Sequence, residues 1–249
     1  MTTLIYAVYE RNSILREDVL IFLEYISRNS IFEVFLVYNG NLTNLDKIPE
    51  SIISICSGKN GYDLNCYIKG FLEGILHGKK KFIFFNNSVI VSNPVTFIDT
   101  LLYMDNELDR SNFVGFSISE EIKKHFHSFL FGINLTRDAK ALQIITDICV
   151  KFNRPFSRDE VINLFELKTH VYVVENLKWN YSILFKPTLY LKLKGYLKFL
   201  LYLGFLDNIK GLLRFEKINF SIFLKSDIER KFGFRKIKST SIINKWNES

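Results

Sequence analysis

The chain has 249 residues, of which 48% are hydrophobic and 24% charged, and its formal net charge is +7. A chain of this length and composition can bury the core of one large domain, which excludes a mostly disordered protein. The longest uncharged run, 82–98, is interrupted by Asn and Pro residues. We expect no transmembrane helix, because a span needs about 20 mainly apolar residues.

The three cysteines and the charge distribution narrow the class of protein further. The cysteines are odd in number and form no Cys-x-x-Cys pair, so we expect reduced thiols in a cytoplasmic protein, without a disulfide framework or a zinc site.

The charge of the chain is unevenly distributed. From residue 186 onward there are 14 Lys and Arg against 5 Asp and Glu, while the preceding part holds 19 Lys and Arg against 21 Asp and Glu. A nearly neutral body with a basic C-terminal quarter indicates an anionic partner for that quarter.

Strands and helices are predicted to alternate through the first 100 residues. The predicted strands are 4–8, 33–38, 51–56 and 81–85, and the predicted helices are 16–28 and 63–76. This alternation is typical of βαβ units and a mostly parallel sheet flanked by helices, an α/β fold of Rossmann type. Strand 81–85 is apolar throughout, so we expect both of its faces to be buried.

The second half has a more mixed pattern. Asn93-Pro94 predicts a helix start, Thr136 is a plausible N-cap for a helix over 136–150, and Ser157 with Glu160 forms a capping-box pattern. Two further strands are predicted at 113–116 and 128–133. We predict one domain over residues 1–186, followed by a basic, aromatic-rich and partly helical segment over 187–249.

Polar side chains follow two of the predicted strands where a parallel sheet collects its ligands. Asp63 follows the glycine-containing loop 57–61, and Asn86, Asn87 and Ser88 follow strand 81–85. Asp63 can bind a ligand or cap the next helix, and the three residues after strand 81–85 can bind a ligand or form an ordinary turn.

The order of these motifs resembles a family of bacterial enzymes. The resemblance is to the rhamnan-synthesis-type glycosyltransferases of capsule and O-antigen assembly, which have a GT-A-like fold. It rests on Gly61-Tyr62-Asp63 with Tyr67 and Gly70, Asn86-Asn87-Ser88, Phe113-Val114-Gly115-Phe116, and His125-Phe126-His127-Ser128.

This resemblance implies a transferase that moves a hexosyl or deoxyhexosyl group from a nucleotide sugar to a hydroxyl of a growing polysaccharide, either a glycan or a lipid-linked glycan. The implied catalytic residues are His125, His127 and Asp63, with Glu120 and Glu121 as alternative bases. The implied donor-binding residues are Tyr9, Asn60, Gly61, Tyr62, Asp63, Asn86, Asn87 and Ser88. At neutral pH a neutral histidine can take the proton of an acceptor hydroxyl.

One departure from the family pattern concerns metal binding. Asn87 stands where the family carries an Asp, and a carboxamide is a poorer ligand for Mg²⁺ or Mn²⁺ than a carboxylate. The enzyme is therefore expected to be metal-independent, to recruit another carboxylate such as Asp63, or to be impaired. The last case corresponds to a degenerate GT-A-like protein that binds a glycan or a partner enzyme without catalysis.

The C-terminal quarter interleaves basic residues and phenylalanines over 230–238. This pattern suits an anionic membrane surface, single-stranded nucleic acid or docking to a partner protein. Because the excess of basic over acidic residues is confined to this quarter and no nucleic-acid-binding module is recognisable, nucleic acid is the weakest of the three. We expect a cytoplasmic protein that can lie on the inner face of the membrane.

Overall fold

The computed structural model describes residues 1–10, 13–58, 63–119, 124–151, 167–186 and 225–236, together with residues 157, 160, 163, 165, 188, 190, 191 and 193. The strands are β1 Thr3–Tyr9, β2 Glu33–Asn39, β3 Ile53–Gly58, β4 Lys81–Asn86, β5 Val89–Val91, β6 Phe113–Gly115, β7 Ile118–Ser119, β8 His125–Phe126, β9 Leu130–Asn134, β10 Tyr181–Ile183 and β11 Phe234–Lys236. The helices are α1 Glu17–Asn29, α2 Asp63–Leu76, α3 Pro94–Leu108, α4 Ala139–Lys151, α5 Leu167–Val171 with a π-helical continuation Tyr172–Asn176, and α6 Lys225–Phe232. None of the helices within these residues is long and apolar enough to cross a membrane.

Seven strands form one mixed sheet in the order β10-β6-β9-β4-β1-β2-β3. β1, β2, β3 and β4 are mutually parallel, and β9 is antiparallel to both β4 and β6. The structure thus confirms the predicted α/β fold with a mixed, mostly parallel sheet flanked by helices. After β3, α2 carries the chain back across β2 and β1 to β4, so the strand order reverses between β1 and β4.

Helix α2 lies very close to the sheet because two glycines face it. A Cβ on Gly70 would lie 2.8 Å from Ile5 Cγ2, and a Cβ on Gly74 would lie 2.4 Å from the Phe82 ring. The helix begins at Asp63, as predicted. Its close approach holds Asp63 beside the end of β4.

Aromatic side chains fill both layers of the core. Tyr6 and Phe85 stack with ring centroids 4.0 Å apart on the α1 and α3 side, and Phe84 and Phe131 stack at 4.7 Å on the α2 and α4 side. Strand β4 is therefore buried on both faces, which confirms the prediction from its apolar sequence.

Of the three predicted helix starts, the one at Asn93-Pro94 is confirmed, the hydrogen bonds of the predicted capping box at Ser157 are present, and the one at Thr136 is wrong. The Asn93 side chain accepts a hydrogen bond from Thr96 N ahead of Pro94, and Ser157 and Glu160 form the predicted reciprocal pair. Thr136 is not the N-cap of α4. Its hydroxyl donates to Asn134 Oδ1 at 2.6 Å, and the helix begins only at Ala139.

Asp138 caps α4 instead. Its carboxylate accepts hydrogen bonds from Ala141 N at 2.8 Å and from the Trp179 indole N–H at 2.9 Å. Both bonds stabilise the ionised carboxylate and hold the pKa of Asp138 below its usual value, and the bond from Ala141 N has the larger effect.

Residues 225–236, which we call the C-terminal clasp, pack against the main sheet domain. β11 pairs antiparallel with β5, and Gly233 O accepts hydrogen bonds from Ser92 N at 3.0 Å and Asn93 N at 2.9 Å. Phe232 and Phe234 are buried in the core, so these two rings are not available to an external surface. The boundary predicted after residue 186 stays a prediction for the rest of the segment, most of which lies outside the described residues.

We predict that Gly233→Ala destabilises the protein much more than Gly78→Ala. Both glycines have positive φ, +74° and +71°, but a Cβ on Gly233 would lie 2.5 Å from Phe97 N, whereas nothing lies within 4 Å of one on Gly78. Backbone strain costs about 1–2 kcal/mol at either position, and the clash adds about 1–3 kcal/mol at Gly233. Urea unfolding of both variants measures the difference, and equal losses would show that the clasp is not packed in this way.

Candidate functional site

The candidate site is the crevice between the carboxyl ends of β1 and β4, where the strand order reverses. In open α/β sheets, ligands bind outside the carboxyl ends of strands at such a point. Tyr9 and Glu10 lie at the end of β1, and Asn86 and Asn87 lie at the end of β4. The Tyr9 ring is half-exposed, at 48%, so its face can contact a ligand.

Asn86 links the end of β4 to α2. Its amide nitrogen donates to Asp63 Oδ2 at 2.7 Å, and its amide oxygen accepts from Ser88 N at 3.1 Å and from the Ser88 hydroxyl. The structure therefore brings together three of the sequence-predicted residues, Asp63, Asn86 and Ser88. The carboxylate and the hydroxyl form a polar wall that suits the hydroxyl groups of a ribose or a sugar.

Asn87 joins the ends of β1 and β4. Its side-chain nitrogen donates to Tyr9 O and to Glu10 Oε1, each at 2.9 Å, and its main-chain N–H donates to Ala7 O at 3.0 Å. An Asp at this position would place a carboxylate against two oxygen acceptors. The carboxamide is therefore the side chain that fits this network.

Glu10 and Arg16 complete this network, and neither was predicted as a site residue from the sequence. Arg16 donates to Asn87 O at 2.9 Å and pairs with Asp18, also at 2.9 Å, while its Nε lies 3.8 Å from Glu10 Oε1. These residues have no characteristic spacing, so no sequence signal could have identified them.

The network shifts the pKa values of both groups. Burial raises the pKa of Glu10, and the hydrogen bond from Asn87 and the charge of Arg16 only partly oppose this effect. Burial lowers the pKa of Arg16, but the Asp18 carboxylate outweighs it and the pKa is raised overall. Glu10 is therefore a partly desolvated carboxylate at the edge of the crevice.

The two histidines lie in and just after the hairpin formed by β7 and β8. Both are buried, and their ring centroids are 5.9 Å apart. His127 Nδ1 lies 2.7 Å from Ser117 Oγ, and His127 N donates to Ser117 O at 3.0 Å. The hairpin thus fixes the position of His127 through both its main chain and its side chain.

The turn that follows His127 meets the crevice. Asn86 N donates to Phe129 O at 3.3 Å, and the Tyr67 hydroxyl on α2 donates to Ser128 O at 3.0 Å. These bonds bring the turn to the same sheet edge as Asp63 and Ser88. The remaining predicted residues, Asn60, Gly61 and Tyr62, and the alternative bases Glu120 and Glu121, lie outside the described residues.

Asn87 does not supply the carboxylate ligand that the family resemblance implies for a metal. Asn87 turns its amide N–H groups, not an acceptor, toward Tyr9 O and Glu10. Within the described part of the chain, no group of three or more His, Cys, Asp or Glu is arranged to hold a metal ion.

The chain matches no protein-family model, and no curated protein matches it. Among solved structures, 4-diphosphocytidyl-2C-methyl-D-erythritol synthase from Anaerococcus prevotii is 11% identical, with 73% of this chain and 85% of that chain covered and a TM-score of 0.45. A cytidylyltransferase from Leptospira borgpetersenii is 11% identical, with 87% and 96% covered and a TM-score of 0.39. A glycosyltransferase from Streptococcus pneumoniae is 12% identical, with 95% and 66% covered and a TM-score of 0.36. These likenesses are too weak to support an argument about function, and the rhamnan-synthesis resemblance stays a prediction.

We predict that Glu10→Gln removes part of the pH dependence of stability. Because the folded-state pKa of Glu10 is raised above the ordinary value of 4.5, the folded form binds more protons than the unfolded form between the two values. Its contribution to stability is therefore present at low pH and is lost as the pH rises through the folded pKa. The glutamine variant keeps an oxygen acceptor for the Asn87 amide. Because glutamine does not ionise, the stability of this variant does not fall as the pH rises through the folded pKa of Glu10.

Urea unfolding across pH 4 to 8, about the range that such a carboxyl covers, measures the effect. The free energy of unfolding of Glu10→Gln relative to wild type should increase with pH over this range. Glu50→Gln, at an exposed residue between β2 and β3, serves as the control for loss of a surface carboxylate and should not show this increase. A difference that is flat or that decreases with pH would contradict the partly desolvated state of Glu10.

Proposed function

We propose that the protein is a glycosyltransferase that moves a hexosyl or deoxyhexosyl group from a nucleotide sugar to a hydroxyl of a bacterial surface polysaccharide, of capsule or O-antigen type. One observation carries this proposal. At the point where the strand order reverses, the Asp63–Asn86–Ser88 wall, the Tyr9 ring and the His127 turn share one sheet edge. This combination offers a surface for a nucleoside, polar groups for the hydroxyls of a sugar, and a base for an acceptor.

In this proposal the donor lies across the crevice. The exposed Tyr9 ring stacks on the base, and the Asp63–Asn86–Ser88 wall binds hydroxyl groups of the ribose or the sugar. Asn60, Gly61 and Tyr62 are proposed donor contacts because of their place in the motif before Asp63. Asn87 acts indirectly, by holding the ends of β1 and β4 together.

His127 is the proposed base, with His125 next to it. The acceptor O–H gives its proton to His127 as its oxygen forms a bond to the anomeric carbon. The bond from that carbon to the diphosphate breaks, and the nucleoside diphosphate leaves with the electron pair. A single displacement of this kind inverts the anomeric centre, and retention requires a different route.

We predict that a nucleoside diphosphate or its sugar raises the melting temperature equally in EDTA and in Mn²⁺. Binding at about 100 times Kd stabilises the native state by about 2.7 kcal/mol, or roughly 5–10 °C for a protein of this size. A thermal-shift screen of UDP, GDP, dTDP and CMP and their sugars measures this. A shift seen only with Mn²⁺ would contradict the predicted metal-independent binding, and no shift with any compound would contradict the transferase proposal.

Variants locate the binding site in the same screen. Tyr9→Ala should weaken binding by about 10- to 100-fold if the base stacks on this ring, since such stacking contributes about 1–3 kcal/mol. Tyr9 is half-exposed, so its replacement should leave the fold intact. Glu24→Gln, which changes an exposed residue of α1, should bind like wild type.

A second candidate function is a non-catalytic protein that binds a glycan or a partner enzyme. It is favoured by Asn87, whose amide is committed to Tyr9 and Glu10 at the position where the resemblance implies a charged ligand. The two functions differ in turnover. Release of the nucleotide from any donor in the screen, lost in His127→Gln, would eliminate the non-catalytic alternative.

We further propose that the C-terminal clasp attaches the protein electrostatically to an anionic membrane. Arg230, Lys231 and Arg235 are exposed on the clasp, whereas Phe232 and Phe234 point into the core. Since the rings are buried, the attraction rests on charge and should be screened by salt. The location that follows is the inner face of the cytoplasmic membrane.

We predict that the protein sediments with vesicles of equal parts phosphatidylglycerol and phosphatidylcholine, and not with pure phosphatidylcholine. Replacing Arg230, Lys231 and Arg235 by Gln should weaken binding by about 100-fold, since each basic residue near the surface contributes about 1 kcal/mol. About 0.5 M NaCl should have a similar effect.

A charge-matched variant tests whether the clasp itself is responsible. Replacing the exposed Arg28, Arg110 and Lys140 by Gln removes the same charge from other elements. This control should keep most of the binding. Equal losses in the two triple variants would show that only the net charge matters, and binding that resists salt would contradict an electrostatic contact.

A further inference from the structure

His170, on helix α5, has a buried ring nitrogen without a hydrogen bond. Its Nε2 is inaccessible to solvent and has no hydrogen-bond partner among the residues that the structure describes. Buried polar atoms of folded proteins nearly always have such a partner. The unpaired nitrogen therefore needs an explanation, and the proposed function gives His170 no role.

The imidazole belongs to a ring cluster formed by Phe126 of β8, His170 of α5 and Tyr181 of β10. The centroid of the His170 ring lies 4.9 Å from that of Phe126 and 6.2 Å from that of Tyr181, and the other two rings are 5.4 Å apart. Phe126 also packs against Phe113 of the main sheet at 4.5 Å. The ring cluster thus attaches the β7–β8 hairpin to α5 and to the edge strand of the main sheet.

The hairpin needs this attachment because its own strands are short. β7 and β8 have two residues each, and within the described part of the chain they pair only with each other. One further main-chain bond runs from His127 N to Ser117 O at 3.0 Å. A two-stranded hairpin is marginally stable by itself, so the contacts of Phe126 hold it in place.

A proton on His170 weakens the ring cluster. The neutral imidazole has one N–H, which it can carry on Nδ1, whereas the imidazolium has an N–H on both nitrogens. The Nε2–H of the charged ring is then buried without an acceptor, which costs free energy. The face of Phe126 can attract a cation, but burial is the largest influence on His170 and lowers its pKa.

The charges around the ring act in both directions. Lys124 and His125, where the chain enters β8, disfavour a positive charge on His170, and Glu175 in the π-helical continuation of α5 favours it. Tyr181 contributes an uncharged ring from β10. The pKa of His170 is lowered overall from its ordinary value of 6.5, so a ring released from the cluster binds a proton more readily.

We propose that the ring cluster is a pH-sensitive switch, which holds the β7–β8 hairpin in place while His170 is neutral and favours its release on acidification. The attachment is fully present above pH 6.5 and weakens as the pH falls from there through the lower pKa of the docked ring. In the proposed function His127 follows this hairpin, so release also lowers turnover. The release itself does not depend on the proposed function, since it concerns only the packing of the hairpin.

Amide hydrogen exchange of the full chain at pH 7.5 and 5.5, corrected for the intrinsic pH dependence of exchange, tests the switch. Protection of the His127 amide should fall by about 3- to 10-fold at pH 5.5, because a released ring is about ten-to-one protonated there. His170→Phe, which keeps a ring without a titratable nitrogen, should remove this fall. His77→Phe makes the same change at an exposed histidine and should behave like wild type.

An NMR titration of the wild-type histidines needs no variant and should give His170 a pKa below 6.5. A pKa at or above this value would overturn the switch, as would an equal fall in protection in wild type and His170→Phe. Both measurements are made without a nucleotide sugar. The expected result in a protein that binds no nucleotide would therefore support the switch and count against the proposed function.

Discussion

The position of every residue in the crevice depends on the crossover from β3 through α2 to β4. This connection reverses the strand order beside β1 and leaves an opening at the carboxyl ends of two parallel strands. Gly70 and Gly74 let α2 approach the sheet closely enough for Asp63 to reach Asn86. A larger side chain at either position would push the helix outward and separate the two halves of the polar wall.

At Asn87, the difference between a carboxamide and a carboxylate decides both the hydrogen bonds of the side chain and its value as a metal ligand. A carboxamide at the end of β4 donates to a backbone carbonyl and to Glu10, whereas a carboxylate would repel both. The side chain that offers no charged ligand to a metal is thus the one that joins the ends of β1 and β4. An uncharged side chain at this position is compatible with the proposed catalysis as well as with the non-catalytic alternative, because the polar wall and the His127 turn do not depend on a charge there.

The sequence was informative wherever the determining pattern is local. The apolar runs predicted the central strands, and residues 63–76 formed the expected helix because their apolar spacing fits one face on the sheet. Thr136 does not cap α4, because its hydroxyl donates a hydrogen bond to the side chain of Asn134. The motifs indicated Asp63, Asn86 and Ser88, but the pairing of these residues depends on the crossover.

Glu10, Arg16 and Ser117 could not be predicted from the sequence for the same reason. Each acts through a contact that the tertiary fold creates, and none belongs to a characteristic spacing. The sequence of the clasp was ambiguous for a different reason. A run of alternating basic and aromatic residues can expose its aromatic rings to a binding partner or bury them at one edge of a core. Pairing with β5 decides that Phe232 and Phe234 point inward.

The pairing of β11 with β5 also has a consequence for biosynthesis. Ser92 and Gly233 are separated by 141 residues in the chain, and ribosomes add roughly 5–20 residues per second. β5 begins one residue after the polar wall. During translation its edge therefore stays unpaired for on the order of ten seconds, until β11 has been synthesised. A nascent chain that stalls in this interval carries an uncovered strand edge beside an incomplete crevice, the kind of surface on which chains associate with one another.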